Sequence, residues 1–261
     1  MAIKLFQVDA FTEKPFKGNP AAVCILEKEM EYEWMQNLAK EMNLSETAFV
    51  LRKGKSFSLR WFTPKVEVNL CGHATLATAH ILFENGYLSS SEIATFDTRS
   101  GILKAKKDGI WVILDFPIIP VEQIEIPDGL EEALGTKIKF MGESGENYFI
   151  EIESEEILKN LYPNFEKLSK YNTQGFIVTA RSLSFDFISR FFAPQVGINE
   201  DPVTGSAHSS LFPYWQKILQ KNNFLAFQAS ERGGILKLSS MNERVLIAGQ
   251  AVTIFEGVLK I

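Results

Sequence analysis

The sequence predicts an α+β fold made of two similar halves, each with many short strands around one main helix. An internal repeat supports this: six residues between Phe57 and Asn69 recur between Phe187 and Asn199 at an offset of 130. The offset then becomes 133, where 72–74 (GHA) faces 205–207 (GSA). Matches that keep their order over such a distance indicate a duplicated unit. The duplication places one domain in each half of the chain.

In the first half, apolar residues at helical spacing predict helices at 31–42 and 74–83, and alternating residues predict strands. Asn43 and the pair Asn85-Gly86 are typical helix stops. The apolar and alternating runs lie before, between and after these helices, at 3–9, 21–26, 47–51, 57–62, 93–96, 101–105 and 111–116. This half, residues 1–116, is predicted to be the first domain.

A change in composition toward Pro and Glu, at Pro117, Pro120 and Pro127, marks a crossover into a second domain at 117–249. The order of elements then repeats, with helices at 154–161 and from about Gly205 to Lys221. Strands are predicted at 175–180, 187–192, 224–228, 234–239 and 244–249. Residues 250–261 have no counterpart in the first half except the crossover. We expect them to form an extra strand, for which a return to the first domain is one option.

Composition limits the classes of function. The 261 residues carry a net charge of −5, which gives no basic surface for nucleic acid or an anionic membrane. No apolar run is long enough to cross a bilayer, and the start lacks a signal-peptide core. The only cysteines, Cys24 and Cys71, make no Cys-x-x-Cys pair. We therefore expect a soluble cytoplasmic protein.

The two repeated motifs each end a strand, pass through a glycine and begin a helix. Unpaired N–H groups and partial positive charge at a helix start favour anions, and Gly72 and Gly205 would let the backbone approach one closely. The alternative is that both glycines only allow tight turns. Duplication favours a carboxylate held between the two helix starts, in a cleft where the domains meet.

Glu46 is an acid that occurs in one half only, because its approximate counterpart is Gly175. A Glu between a helix and a strand is usually solvated. One unmatched acid in a duplicated pocket, however, is what a directional proton transfer needs.

His73, at a helix start, suits a neutral proton carrier or hydrogen-bond donor, and Asp201 could assist or cap its own turn. Zinc held by His73, Asp201 and His208 would follow no metal-binding motif; His208 is expected to be structural. Cys71 could act as a nucleophile or base, but packing is the favoured role because the second motif has no matching thiol.

Five motifs resemble the PhzF-like family of phenazine-biosynthesis proteins: 9–23 (with DAF and GNPAAV), 43–49 (NLSETAF), 62–75 (FTP followed by CGHAT), 99–101 (RSG) and 200–208 (EDPVTGSAH). The resemblance covers essentially the whole chain. It implies two diaminopimelate-epimerase-like domains, each a curled, mostly antiparallel sheet around a central helix. It also implies a homodimer, and chemistry without metal, pyridoxal phosphate or nucleotide.

The resemblance implies that Glu46 is the catalytic acid/base and that His73 and Asp201 assist it. We therefore predict an isomerase without cofactors that moves a proton on a small, amino-acid-derived carboxylate. The predicted substrate-binding residues are Gly72, Ala74, Thr204, Gly205, Ser206, Ser100 and Gly101. A metabolite-binding protein without turnover, or a metal-dependent hydrolase, are the alternatives.

Overall fold

The computed structural model describes residues 3–260; residues 1, 2 and 261, at the ends of the predicted first domain and last strand, lie outside the described residues. The chain forms two compact units. Unit 1 contains the described residues up to Phe116 and those from Leu246 onward, and unit 2 is Pro117–Val245. The first division falls at the predicted crossover. The second falls after Val245 rather than after residue 249, because Gly249 packs against Phe11 and Leu76 of unit 1.

Unit 1 contains two helices, α1 (Tyr32–Met42) and α2 (Gly72–Glu84). Its strands are β1 (Ile3–Ala10), β2 (Asn19–Leu26), β3 (Glu46–Lys53), β4 (Ser56–Phe62), β5 (Glu67–Val68), β6 (Ile93–Thr98), β7 (Gly101–Asp108), β8 (Trp111–Pro117) and β18 (Ala251–Leu259).

The strands of unit 1 pair in the order β18, β1, β2, β3, β4, β6, β7 and β8, with β5 beside β4. The β2/β3 and β4/β6 pairings are parallel, and the others are antiparallel. The last strand, β18, pairs with β1 along its whole length. The C-terminal segment is thus part of unit 1.

Unit 2 has the same plan. Its strands are β9 (Glu122–Gln123), β10 (Phe140–Ser144), β11 (Asn147–Glu151), β12 (Gly175–Arg181), β13 (Phe187–Ala193), β14 (Ile198–Asp201), β15 (Asn223–Gln228) and β16 (Gly234–Met241); β17 (Arg244–Gly249) crosses the second division. Its helices are α3 (Leu130–Leu134), α4 (Glu155–Lys159), α5 (Phe165–Leu168) and α6 (His208–Leu219), with a 3₁₀ turn at Pro194–Val196. The order is β9, β10, β11, β12, β13, β15 and β16, with β14 beside β13, and β11/β12 and β13/β15 are parallel.

The sheet of unit 1 curls around α2. This helix contacts β18 and β7, which are six strand spacings apart in the pairing order, and also β1, β2 and β3. In a flat sheet six spacings amount to about 29 Å, whereas a helix is only about 10 Å across. Only a curved sheet can therefore reach one helix from both ends. The near-complete burial of α2 follows from this enclosure.

Helix α6 packs on the sheet of unit 2 through aromatic side chains. Trp215 stacks on Phe187 of β13 with ring centroids 5.5 Å apart, and its indole N–H donates to Thr179 Oγ1 at 3.0 Å. Phe212 packs on β15, and Tyr214 packs on Phe149 of β11. The central helix of each unit thus touches both parallel and antiparallel parts of its sheet.

An arginine–glutamate pair explains much of the sequence repeat. Arg60 binds Glu67 through Nε–Oε1 (2.7 Å) and Nη2–Oε2 (2.9 Å), and Arg190 binds Glu200 through the same atoms at 2.7 and 2.8 Å. The arginines differ by 130 in number and the glutamates by 133. The change of offset therefore falls between them, where unit 2 has its 3₁₀ turn. The match of Asn69 to Asn199 at offset 130 lies beyond this change and is not a structural correspondence. Such bidentate pairs fix geometry.

Helix α6 begins later than predicted. Residues 205–207 form a turn in which His208 N–H donates to Gly205 O (3.0 Å) and Ser209 N–H to Ser206 O (3.0 Å). These i to i+3 bonds are tighter than α-helical ones, and the helix proper begins at His208 and ends at Leu219. The prediction of a helix from Gly205 to Lys221 was wrong at both ends.

Pro213 lies inside α6, where it cannot donate to the carbonyl of Ser209. That carbonyl instead accepts the N–H of Ile119 at 3.1 Å. Nearby, Ser144 donates to Pro120 O (2.9 Å) and bonds Ser210 Oγ (2.7 Å). The crossover segment thus supplies the hydrogen bond that the helix lacks.

Glu46 and Gly175 are the first residues of equivalent strands, β3 and β12, and each faces the parallel strand beside it. At Gly175 a side chain has no room: a Cβ there would lie 2.3 Å from Cζ of Phe191. In unit 2 the ring of Phe191 occupies the space that corresponds to the side chain of Glu46 in unit 1.

We expect Gly175→Ala to lower the free energy of unfolding by about 1–3 kcal/mol, because the added methyl overpacks the site against Phe191. Urea denaturation would measure it. Gly257→Ala, at a strand position where a Cβ meets only an ordinary 3.8 Å contact, is the control and should be close to neutral. Adding Phe191→Leu to Gly175→Ala should recover part of the lost stability. Equal stability of Gly175→Ala and Gly257→Ala would contradict this packing.

Candidate active site

The amino ends of β2, β3 and α2 meet at one edge of unit 1. Because β2 and β3 are parallel neighbours, with Ala21 opposite Glu46, both begin at the same edge of the sheet. Helix α1 stops just before, at Asn43, which adopts the left-handed conformation (φ 50°) that ends helices. The chain then turns into β3 and places Glu46 next to the start of α2.

Glu46 and His73 are in contact at this edge. Glu46 Oε2 lies 3.1 Å from His73 Nε2, and the two side chains are 13% and 6% exposed. The contact is short but not aligned as a hydrogen bond, and within residues 3–260 Oε2 has no hydrogen-bond partner. A nearly buried carboxylate oxygen therefore keeps an acceptor site for another group.

Asn19 holds the other side of the His73 ring. Its side-chain amide lies 3.1 Å from Nδ1, and Ser45 Oγ donates to the amide oxygen at 3.5 Å. An amide can offer its N–H to a neutral ring or, turned by half, its oxygen to a protonated one. Asn19 thus orients the ring in either protonation state while Nε2 faces Glu46.

The environment of His73 favours its protonated form. Burial of the ring opposes a charge, but the Cys71 sulfur and the Glu46 carboxylate outweigh burial and raise the pKa of His73 well above its ordinary value. Burial raises the pKa of the Cys71 thiol to about 11, so this thiol is neutral near pH 7. The charge that holds the proton on His73 is therefore that of Glu46.

Cys71 precedes α2 and lies against the same ring. Its Sγ is 3.6 Å from His73 Nδ1 and 4.0 Å from Nε2. A neutral thiol is a poor nucleophile, so Cys71 is not favoured as the attacking group of the resting protein. The cysteine contributes instead to a compact cluster of three potential ligand atoms with Glu46 and His73.

The first turn of α2 offers backbone donors beside this cluster. The first intrahelical bond is from Thr75 N–H to Cys71 O, at 3.2 Å, so the N–H groups of Gly72, His73 and Ala74 have no acceptor within the helix. Ala74 is fully buried. These predicted binding positions lie where an anion at the helix start would be held.

Ser100 and Gly101 form the turn between β6 and β7, and Gly101 has a φ of +92° that favours glycine. Ser100 Oγ donates to Asn69 O at 2.7 Å, which ties the turn to the segment before α2. Both residues are exposed.

In unit 2, Asp201 ends β14 and Thr204 follows three residues later. Thr204 Oγ1 donates to Asp201 Oδ2. Gln228 locks the loop: its Oε1 accepts from Thr204 N–H (2.8 Å) and its Nε2 donates to Asp201 O (2.8 Å). Gln228 is fully buried at the end of β15. It therefore fixes the two predicted site residues of this loop relative to each other.

Gly205 and Ser206 lie in the turn before α6, and His208 begins the helix. His208 Nδ1 is 2.9 Å from the carbonyl of Thr204, so Nδ1 carries the proton and donates. The ring is buried against Phe187, and within the described residues its Nε2 has no partner. These contacts hold the ring inside unit 2, and the structural role of His208 stays a prediction.

Two site-shaping residues were missed from the sequence. Asn19 belongs to the GNPAAV motif, which identified the family without giving this residue a role. Gln228 lies on a strand with no recognisable motif. Only the fold brings these amides to His73 and to the Asp201 loop.

Comparison with known proteins identifies the family. A family model described as phenazine biosynthesis-like protein matches residues 8–257. The chain belongs to this family. It is 53% identical to an uncharacterized isomerase of Halalkalibacterium halodurans, over 99% of both chains, and 41% identical to a human phenazine biosynthesis-like domain-containing protein, over 99% of both.

A solved structure is also similar. The crystal structure of a PhzF-family protein from Enterococcus faecalis matches with a TM-score of 0.96 and 46% identity, covering 100% of both chains. The family resemblance and the predicted α+β fold are thereby confirmed. In residues 3–260 no helix has both the length and the apolar character needed to span a bilayer.

His208 gives a test of unit 2. Burial lowers its pKa from 6.5 to about 4, so the unfolded chain takes up a proton before the folded one does. The stability that depends on neutral His208 is complete above pH 6.5 and is lost as pH falls from 6.5 toward 4. The loss should be about 3 kcal/mol. Urea unfolding of the wild type and of His208→Asn, at pH 7 and near pH 4, would measure this loss. If the stabilities of the two proteins changed equally with pH, the prediction would be wrong.

Proposed function

We propose that the chain is an isomerase that moves a proton on a small, amino-acid-derived carboxylate by general acid–base catalysis without a cofactor. One observation carries this: the Oε2 atom of Glu46 is nearly buried, 3.1 Å from His73 Nε2, and without a hydrogen-bond partner in the described chain. A base needs such a free, water-poor oxygen next to a group that can orient or relay the proton. The isomerase name of a relative with 53% identity supports the reaction class.

Glu46 would remove a proton from carbon and return it, and His73 would relay it or orient the substrate. The Gly175/Phe191 arrangement of unit 2 supports one base rather than two, because it leaves no room for a matching acid. A single base can move a proton between two positions of one face, as in a double-bond shift. It cannot by itself supply a proton to the opposite face.

The substrate carboxylate would lie at the start of α2, on the N–H groups of Gly72 and Ala74. We further propose that the loop of unit 2 with Asp201, Thr204, Gly205 and Ser206 completes the site in a cleft where the units meet. There, Asp201 would orient an amine or hydroxyl group. Ser100 and Gly101 would add contacts at the rim. A cytoplasmic homodimer also stays a prediction, which light scattering and fractionation would test.

Exchange of substrate hydrogen with deuterium tests the function. In D₂O with a panel of amino-acid-derived carboxylates, the wild type should label at least one compound at carbon. Glu46→Gln should reduce labelling by about 10²–10⁴-fold, because the base is lost. Mass spectrometry measures the label, and calorimetry checks that the variant still binds the compound.

Glu41→Gln is the matched control, since Glu41 is an exposed acid near the end of α1, five residues before Glu46. It should exchange at the wild-type rate. If the wild type binds a carboxylate but labels none, the metabolite-binding alternative replaces the enzyme. If Glu46→Gln labels as fast as Glu41→Gln, Glu46 is not the base.

A further inference from the structure

The cluster of Glu46, Cys71 and His73 has a second chemical character besides acid–base chemistry. One ligand atom from each residue lies within 4.8 Å of the other two: a carboxylate oxygen, a sulfur and an imidazole nitrogen. All three residues belong to unit 1, and they come from only two places in the fold, the start of β3 and the start of α2. The set combines the three donor types that zinc accepts in proteins.

The three ligand atoms can reach a tetrahedral ion after one side-chain rotation and one small shift. Around four-coordinate zinc, ligand N–O separations are about 3.4 Å and N–S separations about 3.6 Å, from the usual bond lengths. Here Nε2–Oε2 is 3.1 Å and Nε2–Sγ is 4.0 Å. The Nε2–Oε2 distance needs a shift of a few tenths of an ångström. The sulfur lies nearer Nδ1, at 3.6 Å, and has to move by more than about 1 Å toward Nε2, which a rotation about χ1 of Cys71 can supply. The cluster therefore needs no rearrangement of the backbone.

The surroundings also suit a cation of this class. A carboxylate and a thiolate would together neutralise a divalent ion, and the imidazole adds no charge. Asn19 would present its amide oxygen to Nδ1–H of His73, the outer-shell contact that metal-bound histidines usually make. Three protein ligands leave a fourth position for water or a small anion.

We propose that Glu46, Cys71 and His73 form a three-ligand site for a zinc-class divalent cation. Because the ion would occupy the oxygen and the nitrogen that face each other in the structure, bound metal takes Glu46 and His73 out of proton transfer. Metal binding itself is independent of the proposed function. Reversible inhibition by metal is the part that rests on it.

Cobalt(II) is the probe, because its thiolate bond gives a charge-transfer absorption in the near ultraviolet and four-coordinate Co²⁺ absorbs strongly in the visible. The reduced, chelator-treated full chain should bind a single equivalent of Co²⁺ with both signals, and Zn²⁺ should displace it. Cys71→Ala should lose the charge-transfer signal. Cys24→Ala is the matched control: Cys24 is the other free thiol, buried in the apolar cluster with Met35 and Phe49, and its loss should change nothing.

Glu46→Gln should keep the charge-transfer signal and bind at least about tenfold more weakly. The site is wrong if the wild type shows no charge-transfer absorption, or if that absorption survives in Cys71→Ala. Circular dichroism of each variant shows whether a loss comes from unfolding.

An activity measurement separates the two proposals. With a compound that the wild type labels, Zn²⁺ should stop deuterium exchange, and a chelator should restore it. Co²⁺ binding through Cys71 without exchange on any compound would leave the metal site standing and overturn the proposed function. Exchange that excess Zn²⁺ does not slow, with no Co²⁺ signal, would overturn the metal site alone.

Discussion

The arrangement depends on the parallel pairing of β2 with β3. This pairing puts Asn19 and Glu46 at the same edge of the sheet, and the enclosure of α2 brings the start of that helix to the same place. A shift of one residue in the register would turn Glu46 to the other face of the sheet, because successive strand residues point in opposite directions. The contact between Glu46 and His73 is therefore a consequence of sheet register rather than of local sequence.

The two units share a scaffold that duplication explains, and they differ at the residue on which the proposed chemistry depends. Both units keep the bidentate Arg–Glu pair, a similar strand order and a helix packed on the sheet. They differ at the first residue of the equivalent strands, where unit 1 has Glu46 and unit 2 has Gly175 covered by Phe191. The structural pairs hold the fold in both copies, so neither can change without loss of stability. At the strand start each unit has its own packing, so the two positions differ without disturbing these shared features.

The sequence predicted the fold well because the spacing of apolar residues and the internal repeat both reflect which side chains are buried. Burial decides the position of most helices and strands. It predicted α2 at 74–83, within two residues of its observed start at Gly72, because the apolar spacing is regular, and it paired Glu46 with Gly175 because the order of the strands repeats. It missed the start of α6, because the choice between i+3 and i+4 bonds at Gly205 depends on the loop that Gln228 holds. It also missed Asn19. Its contact joins residues 54 positions apart along the chain, which leaves no local pattern.

The position of Cys71 gives unit 1 a conflict that a simple acid–base site would not have. A proton carrier works best with a basic nitrogen and a carboxylate in close contact, and the same two atoms beside a sulfur make a ligand set for a soft cation. Replacing Cys71 by an apolar residue would remove the conflict at little cost in packing volume. Because the thiol is neutral in the resting protein, it does not set the charge of the ring, and the use that its position offers is that of the proposed metal ligand. Proton transfer and metal binding exclude each other at any moment, since the Glu46 oxygen and the His73 nitrogen that would hold the metal are the atoms that would carry the proton.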